Sequence, residues 1–413
     1  MKQRKGAIAK DTVAVMADTI PYLLHWYDYN KRILPWREEP TPYHVWVSEI
    51  MLQQTRVEAV RGYYARFLEK LPTIADLAKA PEEELLKLWE GLGYYSRVRN
   101  LQKAAKILCE QYHGELPGDY EHLRKLPGIG TYTAGAIASI AFGIRVPAVD
   151  GNVLRIVSRI TGDDADIAAE ATKKKRTEEL LRIMPKEAGE FNQAMMDLGA
   201  TICIPNGKPF CDKCPVSHLC VAHKEGLEDK LPVKTAAKDR KVEKRVVFLL
   251  NCGERELLHK RPDTGLLAGL WEYPGAETEH CRFLISEKET ACLEAAKQAE
   301  NREKDCTQQE YENVSRAICD RFHANSITIQ KGRHVFSHIE WQMLGIELSF
   351  SSSSELMKQA ERLSELLCHE AFDETRWALA KRSENRENYP MPSAFDSFRK
   401  KGEGKKDENR NRL

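Results

Sequence analysis

Two carboxylates and a knot of cysteines stand out as side chains able to do chemistry. Glu49 lies in Trp46-Val47-Ser48-Glu49-Ile50-Met51-Leu52-Gln53-Gln54-Thr55, beside an expected helical stripe of Trp46, Ile50 and Val57. Apolar surroundings disfavour the charged form of a carboxyl, so Glu49 can stay protonated there and act as a general acid near neutral pH. An exposed helix glutamate is the plainer alternative. Asp150 lies in Val149-Asp150-Gly151-Asn152-Val153, bracketed by Pro147 and Gly151 at the mouth of a helix expected from Val153 to Ile160. It can serve as an N-cap, as Asp and Asn often do, or it can face a developing positive charge. Cys203, Cys211, Cys214 and Cys220 fall within eighteen residues. Four thiolates in one compact loop suit a tetrahedral zinc ion or a 4Fe–4S cluster, and the spacing is not that of a paired CxxC zinc finger.

These groups need elements to hold them. Residues from Thr12 to Met196 read as almost wholly helical, punctuated by Pro and Gly, with Pro81-Glu82-Glu83-Glu84 as a good helix start. Within this block, Leu126-Pro127-Gly128-Ile129-Gly130 precedes a helix expected from Thr131 to Phe142. The two glycines let the backbone turn tightly and approach a partner closely, and the free N–H groups at the helix start favour a phosphate. The pattern is that of a helix-hairpin-helix, which grips a DNA backbone without reading its sequence, against a plain interhelical turn. A charged, aromatic-free stretch from Lys224 to Lys244 follows the cysteines and reads as a linker. Strand-like runs then appear at Arg245–Leu250, Ile327–Ile329, Gly332–His338 and Ile339–Phe350, with a helical stretch from Ser286 to Ala317. The expected organisation is a helical domain over residues 1–223, a linker over 224–244, an α+β domain over 245–395, and a disordered charged tail over 396–413.

Composition narrows the class. A chain of 413 residues with 42% hydrophobic and 30% charged side chains suits two or three globular domains. The net charge is only +1, so DNA binding would rest on local geometry rather than on bulk charge. The longest apolar stretch, Thr133 to Ile144, is broken by Gly135 and Gly143 and is shorter than the ~20 residues that span a bilayer. The start, MKQRKGAIAKDT, has no apolar h-region. Neither membrane insertion nor secretion is expected.

The four motifs, in this order, resemble the helix-hairpin-helix DNA glycosylases that carry an iron–sulfur cluster, and within them the MutY, or adenine DNA glycosylase, family. The resemblance runs from Trp26 to Phe395. It is carried by Pro35-Trp36-Arg37, Ser48 to Thr55, Gly91-Leu-Gly-Tyr-Tyr-Ser-Arg97, Leu126 to Gly135, and Val149 to Arg155. It implies a multidomain fold: an all-α helix-hairpin-helix glycosylase domain with a 4Fe–4S loop, then an α+β Nudix-like C-terminal domain. It also implies excision of adenine mispaired with 8-oxoguanine or guanine in duplex DNA. Glu49 would protonate adenine N7, Asp150 would stabilise the sugar cation, and Tyr132 and Asn152 would orient Asp150 and a water. Trp36, Arg37 and Gln193 would line the adenine pocket. Gln54 and Tyr94 would wedge into the duplex, Thr55 would contact the lesion base, and Gly128 and Gly130 would grip the backbone. Cys203, Cys211, Cys214 and Cys220 would hold the cluster, fixing a loop with Lys208 and Lys213 towards the phosphates. The resemblance implies a monomer working on duplex DNA with no membrane partner; a short N-terminal extension without an obvious transit peptide points to a bacterial cytoplasm, at the nucleoid.

The related endonuclease III type places a nucleophilic lysine where this chain has Tyr132. A phenol cannot form the Schiff base that strand cleavage needs, so a glycosylase/lyase is disfavoured. A non-catalytic lesion binder is the other alternative, and the presence of both carboxylates weighs against it. Gly269-Leu-Trp-Glu-Tyr-Pro-Gly275 resembles the segment before a Nudix box, yet Ala276 to Lys331 holds no glycine and no matching Arg-Glu-x-x-Glu-Glu run. A Nudix fold without hydrolase chemistry is expected, reading 8-oxoguanine through Phe336, Ser337 and His338. The chain departs from the family in having seven residues, rather than six, between Cys203 and Cys211, and in a long charged segment from Glu277 to Arg321.

Overall fold

The computed structural model describes residues 11–236, 239–296, 307–368, 371–383 and 388–399. The tail beyond residue 399 and residues 297–306 of the long charged segment lie outside the described residues. The described chain divides into two compact units, residues 11–88 with 94–236 and residues 89–93 with those after 238. No described helix is long and apolar enough to cross a membrane.

The first unit is helical: α1 (Thr12–Asn30), α2 (Pro35–Glu38), α3 (Pro42–Leu52), α4 (Val57–Lys70), α5 (Ile74–Lys79), α7 (Ser96–Gln111), α8 (Tyr120–Leu123), α9 (Thr131–Phe142), α10 (Gly151–Thr161), α11 (Glu170–Ile183), α12 (Ala188–Thr201) and α13 (Val221–Glu225), with α6 (Glu82–Leu88) completing the series. Side chains set the starts: Asp11 caps α1, Thr41 caps α3 ahead of Pro42, and Thr73 with Asp76 forms a capping box on α5. Val57 does not extend the stripe of Trp46 and Ile50. The helix stops at Leu52, Gln54 takes a left-handed φ of 56°, and Val57 opens α4.

Small residues let the elements around Asp150 come close. Ala134, Ala136 and Ala138 of α9 are fully buried. A Cβ at Gly135 would lie 2.4 Å from the Pro147 carbonyl oxygen, so the chain leading to Asp150 crosses directly over α9. A Cβ at Gly189 would lie 2.9 Å from the Ser139 oxygen, which brings α12 against the same helix. Buried Asn192 pins this crossing: its Oδ1 accepts from Ala148 N at 3.0 Å, and its Nδ2 donates to Ser139 Oγ at 2.8 Å and Val146 O at 3.0 Å. An apolar core from α1, α10, α11 and α12 lies beside it, including Leu23, Ile156, Val157, Leu180, Phe191 and Leu198.

The second unit is a mixed sheet with helices. Its strands are β1 (Lys241–Cys252), β2 (Arg255–Lys260), β3 (Trp271–Glu272), β4 (Gly275–Glu277), β5 (Ser326–Val335), β6 (Ile339–Ser349) and β7 (Trp377–Lys381). The order is β3-β2-β1-β6-β5, with β4 on β1 and β7 on β2. β1 runs parallel to β6 from Lys241↔Ile339 to Asn251↔Ser349. Along β1, Val246, Phe248 and Leu250 enter one core while Val247 and Leu249 enter another on the opposite face. That two-sided burial explains why the run reads as continuously apolar rather than alternating. Of the helices α14 (Glu287–Ala296), α15 (Gln308–Phe322) and α16 (Ser353–Leu363), α15 and α16 supply Ile318, Phe322, Leu356 and Leu363 to the first core. The strand expected over Gly332–His338 stops at Val335, because Phe336 N donates to Ile339 O at 2.8 Å and closes a tight turn into β6.

Candidate active site

Glu49 is buried on α3 with 6% of its surface exposed. Burial pushes its carboxyl up to about 7; a hydrogen bond with Tyr132 works against that rise, the charge of Asp150 reinforces it, and the Arg37 guanidinium opposes it. The Tyr132 phenol is driven far above its ordinary value by burial and by the charges of Glu49 and Asp150, so it stays a hydroxyl donor. Glu49, Tyr132, Asp150 and Arg37 therefore form one electrostatically coupled group, although they come from α3, the start of α9, the start of α10 and α2.

Asp150 is the N-cap of α10. Its Oδ1 accepts from Asn152 N and Val153 N, each at 2.9 Å, and its Oδ2 accepts from Asn152 Nδ2 at 2.7 Å. Asn152 is oriented in turn, because its Oδ1 accepts from Arg155 Nη1 at 2.9 Å. Arg155 also reaches the carbonyls of Gly199 and Cys203, each at 2.9 Å. Sequence reasoning did not single out Arg155; its signal was a basic residue one turn after Asn152, set among the apolar residues Val153, Leu154, Ile156 and Val157.

An open cleft of about 480 Å³ is lined by Arg37, Gln193, Tyr27, Arg32 and Ser139 among others. Trp36 is buried at 5% exposure with its ring edge-on to Tyr64, centroids 5.4 Å apart.

Gln54 and Tyr94 both take left-handed backbone angles, φ 56° and 49°, which non-glycine residues adopt only where the surroundings impose them. Tyr94 is 45% exposed. Between them lies Arg97 of α7, whose Nη1 donates to the carbonyls of Ile50, Met51 and Gln53 at 2.9, 3.0 and 2.6 Å. Its Nη2 reaches Thr55 Oγ1 at 3.4 Å, and its guanidinium lies 5.5 Å from the Tyr94 ring centroid. The sequence carried Arg97 only as the end of a motif; its positioning work was not read there. Gly128 has φ 77°, and a Cβ there would meet Asn100 Cβ at 2.9 Å. Gly130 caps α9 with φ −83°, and the space where its Cβ would stand is open.

Cys203, Cys211, Cys214 and Cys220 line one small cavity, with Ile156, Ile160, Leu198 and Val216 among its other walls. All four are free cysteines. Burial pushes the Cys214 thiol up to about 12 and the Cys211 thiol up to about 11. A zinc ion with four sulfurs at ~2.3 Å holds them roughly 3.8 Å apart. Among the described residues no three of these sulfurs lie within 4.8 Å of one another, so the set is wider than a single ion needs and suits a larger inorganic group. Arg159 Nη1 donates to Cys203 Sγ at 3.3 Å and to Ile204 O at 2.9 Å. His223, Glu228 and Cys211 do lie that close together, but His223 Nδ1 is already engaged with Glu228 Oε1 at 3.0 Å. Lys208 and Lys213 are exposed on the same loop.

In the second unit, Phe336, Ser337 and His338 form the turn between β5 and β6. Ser337 and His338 are exposed, with Ser337 Oγ 3.1 Å from His338 Nδ1. The Phe336 ring is half-buried, edge-on to His334 at 4.6 Å and to Trp341 at 4.9 Å.

Residues 47–185 match the model of the HhH-GPD superfamily base excision DNA repair proteins, and residues 245–401 match the NUDIX domain. Fold and site thus define a helix-hairpin-helix repair protein with a Nudix-like second domain. The chain is similar to adenine DNA glycosylases of Rattus norvegicus (39% identical over 310 residues, 62% of this chain and 60% of that one) and Schizosaccharomyces pombe (36% over 319 residues, 62% and 68%). It is also similar to the one from Buchnera aphidicola subsp. Schizaphis graminum (36% over 263 residues, 62% and 74%). The chain belongs to the adenine DNA glycosylase, or MutY, family. It spans 60% of the length of the rat relative, and 57% of the human one.

Proposed function

We propose that the chain is a monofunctional adenine DNA glycosylase that hydrolyses the N-glycosidic bond of adenine mispaired with 8-oxoguanine or guanine in duplex DNA. The observation that carries this reading is the coupling of buried Glu49, an acid poised near neutral pH, to Tyr132 and to the capping carboxylate Asp150. A stacked adenine is out of reach, so it would be flipped out at a cost of a few kcal/mol. Gln54 and Tyr94, held in unusual backbone states around Arg97, suit the wedge role, and Thr55 suits contact with the lesion base. The backbone at Gly128 and Gly130, open on the Gly130 side, suits a DNA phosphate at the start of α9. Trp36, Arg37 and Gln193 would receive the base.

Glu49 would give its proton to adenine N7. The C1′–N9 bond then breaks with its electron pair going to the base, which leaves as a neutral molecule. General acid catalysis of this kind is worth ~10²–10⁴-fold. The sugar becomes cationic at C1′, and Asp150, fixed by three hydrogen bonds, would stabilise it. Tyr132 and Asn152 would orient Asp150 and the water that adds at C1′, whose proton restores the site. With Tyr132 where a lyase has lysine, no Schiff base forms, so the strand stays intact.

Cys203, Cys211, Cys214 and Cys220 would hold a 4Fe–4S cluster, which members of this family typically carry. The cluster would act structurally, tying the loop of Lys208 and Lys213 to α10 and α12. Phe336, Ser337 and His338 would read 8-oxoguanine. The deciding experiment is single-turnover adenine release from an A:8-oxoguanine duplex. Release of free adenine without strand scission is the expected result. Binding without release would leave a lesion-binding protein, and efficient borohydride trapping would move the assignment to a glycosylase/lyase.

A further inference from the structure

Asp197 is an acidic residue within the apolar sequence Met195-Met196-Asp197-Leu198 of α12, and it is fully buried. Two guanidinium groups converge on it. Arg37 binds it as a fork, Nη1 to Oδ2 at 2.8 Å and Nη2 to Oδ1 at 3.0 Å. Arg32 donates from Nε to Oδ1 at 2.7 Å and from its backbone N to Oδ2 at 3.1 Å. Arg37 Nη1 also donates to the Arg32 carbonyl at 3.2 Å, so the two arginines are locked to each other as well as to the carboxylate. Both arginines line the open cleft that also holds Gln193.

A buried ion pair is weak evidence for stability, because a well-packed apolar replacement often does as well. Its definite effects are on orientation and local charge. A bidentate fork fixes the plane of Arg37, and Arg37 is the cation that acts on Glu49. The groups acting on Glu49 are Tyr132 from α9, Asp150 at the start of α10, and Arg37 from α2. Arg97 of α7 is directed instead at the carbonyls of Ile50, Met51 and Gln53.

We infer that Asp197 is a positioning residue of the base pocket: it clamps Arg37 in the orientation that meets the flipped base, and it neutralises that cation so that Glu49 keeps the proton it must donate. The inference rests on the proposed glycosylase function and assigns a device within its pocket. With Asp197 gone, the Arg37 charge would act uncompensated on Glu49 and draw out its proton at lower pH.

The test measures single-turnover adenine release against pH for the full chain and for Asp197→Asn, Asp197→Glu, Arg37→Lys and Arg37→Leu. Binding to a duplex with a non-cleavable adenine analogue is measured in parallel. For Asp197→Asn, the pH at which the rate falls by half should move down by about one unit, which is about tenfold in rate above that midpoint. Binding of the analogue duplex should remain. Asp197→Glu restores the charge and should return the midpoint towards that of the parent. Adding Asp197→Asn to Arg37→Leu should cost little beyond Arg37→Leu alone, because the carboxylate acts through Arg37. A merely structural role would lower the melting temperature and leave the midpoint in place, and that result overturns the inference. If Asp197→Asn does not fold, Arg37→Lys decides: it keeps the charge and loses the fork, so the rate should fall with the midpoint unmoved. An undiminished Arg37→Lys rate, or a shifted midpoint, is equally fatal. If the unaltered chain releases no adenine, the functional reading fails first and takes this inference with it. Release by the parent with an unmoved Asp197→Asn profile removes this inference alone.

Discussion

Glu49→Gln separates the chemical role of this residue from its structural cost. The carboxyl titrates at about 7 when folded, against an ordinary 4.5, so the folded chain holds this proton more tightly than the unfolded chain does. The stability it contributes is fully present below about pH 4.5 and is lost as pH rises through about 7. Above that, burial of the carboxylate costs a constant amount, roughly 3 kcal/mol from the difference in pKa at ~1.4 kcal/mol per unit. Glutamine keeps the shape and can still accept from the Tyr132 hydroxyl, but it carries no charge. Glu49→Gln should therefore match the parent in stability near pH 4.5 and exceed it by roughly 3 kcal/mol near pH 8.5. For a domain of ~150–250 residues this is a rise in melting temperature of about 6–12 °C. The same variant should lose ~10²–10⁴-fold in base release. The parent's rate should fall tenfold per pH unit above about 7. The assays are thermal melts at the two pH values and single-turnover adenine release. A variant that melts lower than the parent at the alkaline pH would refute the burial argument, and one that still releases adenine at the parental rate would refute the acid assignment.

Further outcomes follow from individual contacts. Asp150→Asn keeps a good cap on α10, so melting temperature and lesion binding should hold while base release is lost; release near the parental rate removes the role given to Asp150. Gly128→Ala and Gly130→Ala should part company. The first meets a left-handed φ of 77° and a 2.9 Å contact with Asn100, and should cost more than ~1 kcal/mol in chemical denaturation. The second has open space, and should leave stability unchanged but weaken duplex binding if a phosphate approaches there. Cys214→Ser should lose iron content and visible absorbance together with thermal stability, and retention of all three would count against the cluster.

The sequence made some parts of this architecture legible because they depend on local rules. The glycine-rich turn and the cap at Asp150 are such features, and α9 spans the expected Thr131–Phe142. The run Arg245–Leu250 lies inside β1. What the sequence hid was tertiary. By residue type alone Val57 continues the Trp46–Ile50 stripe, since nothing in the residues announces the left-handed state of Gln54 just past the end of the helix. Arg97 had no local signature, because the three carbonyls it binds lie more than forty residues back along the chain. Within the expected linker, Ile167 N donates to Val233 O at 3.0 Å, a contact that only the folded first unit brings together. The Phe336-Ser337-His338 turn was recognisable by resemblance, whereas the bracing of Phe336 by His334 and Trp341 depends on the pairing of β5 with β6.

The two readings of Asp150, as helix cap and as partner to a cation, turn out to be compatible. Capping takes both backbone bonds at Oδ1, leaving Oδ2 with the single Asn152 contact. Asn152 has no freedom to turn that contact round. Its amide oxygen already accepts from Arg155, so its NH₂ must face Asp150. Arg155 is fixed in turn by the Gly199 and Cys203 carbonyls, where α12 runs into the cysteine loop. The helix start thus supplies the rigidity, and the carboxylate is held in place by the protein's own hydrogen bonds. An aimed charge costs no reorganisation at the moment the bond breaks, which is the condition under which a fixed carboxylate stabilises a developing cation most.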